Sequence, residues 1–389
     1  MTELEKLLSI VPASPEAGID WETIESDILP DYAARMKATQ QNPLYHAEGD
    51  VWAHTRMVCE YLVKDKEFWC ASLRERQELF IAALLHDIGK IVTTKWQDGA
   101  WTSPNHAIKG AVMARKLLWK DYGLCGTREW MCFRETICLL VRYHMIAPYA
   151  MEKNNAGQRL IKIAANGELA KDFTLKKLFL LSKADVNGKI SDSNAQSAEA
   201  VMMAAALVQE MGCYERPLSF ASSYTEYAFL SGRNVTPEAE LYNDTEMEVI
   251  MLCGLPGTGK DTWIRVVYPD YPMVSLDNIR REHGLSPVGS QQEAVRIARE
   301  QMKELLRQKK SFVWNATSLT PELRANIVNL CTAYHAYVKM VFLETDYAEN
   351  LDRNQRRRYA VPPDVIDKML SKLVPPERFE AHEVDWRCV

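Results

Sequence analysis

No stretch of the 389-residue sequence is apolar for long enough to cross a bilayer, which argues against a membrane-spanning helix. No C-x-x-C pair occurs: the nine cysteines stand singly, so neither a disulfide framework nor a thiolate zinc site is suggested, and a reducing compartment fits best. There is no excess of positive charge either. With 47 Lys and Arg against 52 Asp and Glu, the formal charge is -5, too low for binding long nucleic acid through an overall field. A nucleic-acid partner would have to be held locally. The opening MTELEKLLSI is acidic and has no basic region followed by an apolar run, so a soluble cytoplasmic protein without a membrane partner is expected. Repeats and low-complexity tracts are absent, and histidine is scarce, with only eight in the chain.

What is present divides by texture. The length favours two domains. Up to about residue 215 apolar residues recur at three and four residue intervals, as in ELFIAALLHDIGK, AVMARKLLWKDYG, ETICLLVRYH and TLKKLFLLSKAD, which predicts helices. From 221 to 245 no period is sustained, which predicts a linker. From 246 onward EVIMLCG, MVSLD, SFVWNAT and YVKMVFLE are predicted strands alternating with helical patterns, the signature of a parallel sheet covered on both faces. The expected fold is therefore multidomain: a helical domain over 1–220, a linker, and an α/β domain over 246–389.

Five of the eight histidines fall between 46 and 144. His54, His86, His106 and His144 sit in helical patterns and share the apolar faces of their helices by spacing. A single inward histidine is ordinarily a hydrogen-bonded core residue. Four of them, joined by Asp87 and Asp185, supply the lone pairs and charge a divalent transition metal requires.

WAHT at 52–55, LLHDIGK at 84–90, NHAIKGA at 105–111, RYH at 142–144 and SKADVNG at 182–188 resemble, in order, the motifs of the HD phosphohydrolase superfamily. The resemblance implies that His54, His86, Asp87 and Asp185 hold one metal, and that Asp87 bridges to a second held by His106 and His144. Two ions are preferred over one, with Mn2+, Ni2+, Co2+ or Zn2+ as candidates. It also implies a water acidified by the metals for attack on phosphorus, with Lys90 absorbing charge on the phosphoryl oxygens. Lys90 could equally be a helix-terminal cation, and His46 and Arg142 are further candidates for supporting contacts.

In the second half, GLPGTGK lies between a strand pattern and a helix pattern, the setting a phosphate-binding loop requires. Gly254, Gly257, Thr258 and Gly259 would turn backbone N–H groups toward a phosphate at a helix N-terminus, and Lys260 would reach the β and γ phosphates of ATP. Asp261 stands where a hydroxyl ordinarily meets Mg2+, and a carboxylate is also a hard oxygen ligand for that ion. Thr262, about 100° further round the helix, is a poor substitute. Asp277, at the carboxyl end of the next strand, could accept a hydroxyl proton, with Arg280 one turn on to meet a phosphate. Arg353, Arg356, Arg357 and Arg358 form either a solvated face or a lid over the nucleotide.

Asp277 with Arg280, Arg353 to Arg357 and Ala360 to Pro362 are similar to the motifs of the 5'-hydroxyl polynucleotide kinases. That resemblance implies Asp277 as general base, Arg280 as orienting residue and Arg357 as ATP clamp. A spacing one residue shorter than the family form leaves Arg356 and Arg358 as alternatives. Asn315 and Thr317 are further candidates. The whole chain resembles the bacterial HD-domain polynucleotide kinases. It implies a bifunctional end-healing enzyme that phosphorylates 5'-hydroxyl ends and hydrolyses 2',3'-cyclic, 2'- or 3'-phosphate ends of RNA or DNA, working alongside a separate ligase. Two other readings stay open: a metabolic phosphohydrolase fused to a small-molecule kinase, and a non-catalytic ATP sensor.

Overall fold

The computed structural model describes residues 1–152, 154–286 and 292–389. The chain forms two compact units, one of Met1–Leu124 and Glu129–Leu218, the other of Cys125–Arg128 and Ser219–Val389. Among the described residues no helix is long and apolar enough to cross a membrane.

The first unit is helical. The elements that form or cover its candidate site are α1 (Val51–Leu62), α2 (Leu73–Leu85), α3 (His106–Lys116), α4 (Arg128–Tyr143, of which all but Arg128 belong to this unit), α5 (Leu175–Asn187) and α6 (Asn194–Glu210). Side chains that satisfy the first free N–H groups set three of the starts: Asp50 for α1, Ser72 in a capping box with Glu75 for α2, and Thr174 for α5. The run Leu79 to Leu85 is buried throughout, which places α2 at the centre. Helices α1, α2 and α5 pack on one another, and α6 covers α5. A two-stranded hairpin, β1 (Lys95–Gln97) and β2 (Ala100–Thr102), interrupts the helices. Its turn is Asp98-Gly99, both at positive φ (52° and 80°), with Trp96 and Trp101 edge to face at 5.2 Å. The periodicity reading contained no strand here.

The second unit is built on a five-stranded parallel sheet of order β4-β5-β3-β6-β7: β3 (Met247–Cys253), β4 (Met273–Ser275), β5 (Phe312–Asn315), β6 (Ala336–Glu344) and β7 (Glu383–Cys388). Every residue of β3 except Glu248 is buried, as a strand covered on both faces requires. Strand β7 adds a fifth to the four predicted; its alternation of charged and apolar residues is that of an edge strand, not a buried run. Residues 221–245, expected as a linker, contain a helix, α7 (Ser223–Leu230), whose Tyr227 ring lies 3.9 Å from that of His382 and whose Glu226 pairs with Arg378. Further helices are α8 (Lys260–Val267), α9 (Leu276–Glu282), α10 (Gln292–Arg307), α11 (Pro321–Thr332), α12 (Tyr347–Gln355) and α13 (Pro363–Leu370). Because β3 pairs with β5 on one side and β6 on the other, the chain reverses direction across the sheet beside β3. That is the crevice where open α/β sheets bind ligands.

Candidate metal centre and candidate nucleotide site

In the first unit, His54 lies within α1, but the other three histidines stand at helix ends. His86 is the C-cap of α2, His106 opens α3, and His144 follows the last residue of α4. The sequence places them inside helices; the ends are where they are needed, because side chains leaving helix termini converge without filling a helix face. Glycines allow the convergence. A Cβ at Gly89 would lie 2.0 Å from the His106 carbonyl oxygen, and one at Gly188 would lie 2.6 Å from Val58 Cα. Their absence lets α3 close on the Asp87 turn and the end of α5 close on α1.

The result is a carboxylate shared between two clusters. Asp87 Oδ2 lies 3.3 Å from His86 Nε2 and 3.6 Å from His54 Nε2, and Asp185 Oδ1 is 3.0 Å from His54 Nε2. Asp87 Oδ1 faces the other way, 3.4 Å from His106 Nε2 and 3.9 Å from His144 Nε2. Within each of the triads His54–His86–Asp87 and Asp87–His106–His144 the donor atoms lie within 4.8 Å of one another. All four imidazoles donate from Nδ1 to a backbone carbonyl: His54 to Gly188, His86 to Ala83, His106 to Ser103 and His144 to Val141. That orients the rings and turns each Nε2 inward, with that of His54 lying toward Asp185.

The donors fit a metal. Asp87 Oδ1, His106 Nε2 and His144 Nε2 are buried and make no hydrogen bond among the described residues, an arrangement that is costly unless a cation satisfies them. Burial pushes His144 down to about 3 and also lowers His106, so both rings are neutral and available as ligands. For His54 burial acts in the same direction, but Asp185 and Glu48 outweigh it and raise the ring to about 9. Asp87 is held well below the carboxylate range: burial would raise it, and the Lys90 ammonium and the surrounding imidazoles prevail.

Lys90 is part of this centre, its Nζ 2.7 Å from Asp87 Oδ2 and 2.7 Å from Gln41 Oε1. His46 stands behind His54 at 4.7 Å between rings. Arg142 stacks on Tyr143. Glu48 escaped the sequence reading: it accepts from His46 Nδ1 (2.8 Å) and the Ile190 N–H (2.8 Å), and lies 3.1 Å from His54 Nδ1. It sits on an irregular segment where no periodicity signals an inward residue.

In the second unit, β3 runs into the loop 254–259 and then α8. Gly254 has φ 138°, and a Cβ there would lie 2.4 Å from the Leu343 carbonyl oxygen; Gly257 and Gly259 are also at positive φ. Asn350 of α12 pins the loop by donating to the Pro256 carbonyl (2.8 Å), and Thr258 Oγ1 donates to Leu255 (2.9 Å). Lys260 Nζ folds back on the Gly254 and Leu255 carbonyls at 3.0 and 2.6 Å, and burial lowers it to about 8. Asp261 and Thr262 are both exposed, and Asp261 accepts from Asn315 at the end of β5 (2.6 Å). The Thr317 carbonyl accepts from the Gly254 N–H at 3.0 Å.

Asp277 lies in the first turn of α9 directly after β4, bonded to Arg280 at 2.6 Å. Arg353 Nη1 is 3.6 Å from where a Cβ of Gly259 would be, and its guanidinium pairs with Glu349. Arg356 is exposed and paired with Asp352. Arg357 and Arg358, in contrast, line a cleft of about 450 Å³ with Asp261, Arg281 and Tyr359. Asn354 holds this segment in place, exchanging hydrogen bonds with the backbone of Val361 at 2.7 and 3.1 Å.

Residues 51–168 match the HD domain family and residues 249–376 match an AAA domain family. The first match takes in His54, His86, Asp87, His106 and His144 and ends before Asp185. The chain is also similar to the multifunctional CCA protein of Hahella chejuensis (strain KCTC 2396), 28% identical over 165 residues. That segment is 42% of this chain and spans about a third (34%) of the relative's length. A hydrolase-type HD domain with a His/Asp cluster suited to divalent metal is thus joined to a kinase-like P-loop domain, a nucleotide-related enzyme arrangement.

Proposed function

We propose that the protein heals broken nucleic-acid ends, phosphorylating 5'-hydroxyls with ATP in its second unit and hydrolysing 2',3'-cyclic, 2'- or 3'-phosphates in its first. The observation that carries this reading is the coexistence on one chain of a carboxylate shared by two histidine clusters and a glycine loop whose Lys260 is close enough to Asp277 and Arg357 to feel their charges. A strand break with a phosphate on one side and a hydroxyl on the other requires both chemistries before it can be sealed.

In the first unit, His54, His86, Asp87 and Asp185 would hold one divalent cation, and Asp87, His106 and His144 a second. Such cations supply Lewis acidity to the phosphoryl group and lower the pKa of water. Lys90, next to Asp87, balances negative charge gathering on the phosphoryl oxygens. The Nδ1–H bonds keep the rings from turning, so the lone pairs are already aimed. In the second unit, the N–H groups at the start of α8 receive the ATP phosphates. Lys260 exchanges its two loop carbonyls for phosphate oxygens, whose negative charge favours its protonated form. Asp261 would hold Mg2+, an ion that would supply positive charge beside the transferring phosphate. Asp277 accepts the proton of the attacking hydroxyl, Arg280 orients that end, and Arg357 draws the phosphates from the far side.

The test is a short RNA carrying a 5'-hydroxyl and a 2',3'-cyclic phosphate, incubated with ATP and Mn2+ or Mg2+, with both ends analysed. Phosphate gained at the 5' end and a cyclic phosphate opened or removed at the 3' end is expected. Two unchanged ends, with a free sugar or nucleoside phosphorylated instead, would overturn it.

A further inference from the structure

We propose that the cleft lined by Asp261, Arg281, Arg357, Arg358 and Tyr359 is where the acceptor strand docks, with Arg281 taking the first phosphodiester and Tyr359 the base of the 5'-terminal nucleotide. This rests on the kinase reading above and deepens it by naming the groups that would separate a strand end from a small molecule.

Three arginines against one carboxylate make the cleft anionophilic. Among the described residues neither Arg357 nor Arg358 has an ion pair, in contrast to Arg280, Arg353 and Arg356, which do. Their charge is left for a ligand. Tyr359 is 58% exposed, with the Arg281 guanidinium 5.8 Å and that of Arg358 5.4 Å from its ring centroid. An exposed aromatic among guanidiniums suits a ligand with phosphate and a π-face together, which is a nucleotide unit.

Two kinds of nucleotide could use such a surface, the ATP donor and the acceptor end, and the geometry favours the second. The donor's phosphates are served by the loop N–H groups, Lys260 and, from the loop side of the cleft, Arg357, whose charge reaches Lys260; this leaves Arg281, Arg358 and Tyr359 on the other side for the acceptor. Arg281 comes instead from α9, the helix that opens with Asp277. Residues 277 and 281 are four apart and so share a face of α9, one turn apart. Arg281 is held there by its Nε bond to the Asp277 carbonyl at 3.2 Å and by Asn278. A hydroxyl at Asp277 therefore presents the next phosphate of its strand toward Arg281. A sugar or a nucleoside without a 3'-phosphate has no group to place there.

The experiment is steady-state kinase kinetics of the full-length protein, varying ATP and acceptor separately. The acceptors are a 5'-hydroxyl oligonucleotide and a nucleoside lacking the 3'-phosphate. For Arg281→Ala, KM for the oligonucleotide is expected to rise about tenfold, equal to about 1.4 kcal/mol. KM for ATP should stay within roughly twofold, and any activity on the nucleoside should be unaffected. Tyr359→Ala should raise the oligonucleotide KM about tenfold, and Tyr359→Phe should restore it. The unchanged ATP KM doubles as a check that the loop is folded. Raised KM for ATP alone would assign the cleft to the donor and overturn the proposal, as would no change in either constant. A wild-type protein inactive on every 5'-hydroxyl strand would instead sink the functional reading, and this inference with it.

Discussion

Replacing Gly89 with Ala tests how the metal centre is assembled. The added Cβ would sit 2.0 Å from the His106 carbonyl oxygen and 2.6 Å from the Gly110 N, both backbone atoms that no rotamer change can move. Ordinary contact begins at 3.4 Å, so α3 must retreat from the Asp87 turn by about 1.4 Å. Ligand distances in metal sites tolerate only about 0.2 Å. His106 rides on the first residue of α3 and is carried away from Asp87 Oδ1, whereas His54 and Asp185 belong to α1 and α5 and stay. On the two-ion reading, the expected outcome is one ion bound per chain, against two expected for the wild type. Phosphoesterase activity should fall by about a hundredfold or more, at a stability cost of about 1–3 kcal/mol from overpacking. Kinase activity should be unchanged. Metal analysis of the purified variant, with melting curves and both assays, gives the answer. A Gly89→Ala protein that keeps two ions and full phosphoesterase activity would refute the packing argument.

Glu48→Gln keeps the size of the side chain but removes the charge behind His54 and His46, and should weaken metal binding about tenfold to a hundredfold by competition titration, without unfolding the unit. Asn354→Ala removes both hydrogen bonds to Val361, and KM for ATP and for the 5'-hydroxyl strand should both rise about tenfold as the segment carrying Arg357, Arg358 and Tyr359 loosens. His382 is lowered to about 4, first by burial and then by Arg233 and Arg378, and its Nδ1 accepts from the Val338 N–H. Its folded value lies below its unfolded value of about 6.5, so the neutral ring stabilises the second unit above that pH, and the contribution is lost as pH falls toward 4. The loss is at most about 3 kcal/mol, and melting curves of His382→Gln should show a flatter pH dependence over that window than the wild type.

The order of elements was legible because their periods are strong: the buried run of α2 and strand β3 with its glycine loop can be read at sight. What periodicity could not supply is where helices stop. His86, His106 and His144 look like helix-face residues in sequence, and only the turns after Leu85 and Tyr143 and before His106 bring them around Asp87. Glu48 and Gln41 were invisible because they lie on an irregular stretch whose inward direction is set by α1 and by Ile190, far away in sequence. Strand β7 was missed because an edge strand alternates polar and apolar residues and so shows no continuous apolar run. The Asp98-Gly99 hairpin, however, carried a local turn signal that strong helical periods on either side overshadowed. Residues 221–245 lack a period because Tyr224 and Tyr227 owe their burial to His382, more than a hundred residues on.

The central claim is that two separate chemistries act on the two ends of one strand. It is tested most directly by mass analysis of a single RNA carrying a 5'-hydroxyl and a 2',3'-cyclic phosphate, after incubation with Asp87→Ala and Lys260→Ala proteins in turn. Asp87→Ala is expected to add the 5'-phosphate and leave the cyclic phosphate intact. Lys260→Ala should do the reverse. Loss of both reactions from either folded variant would contradict the account.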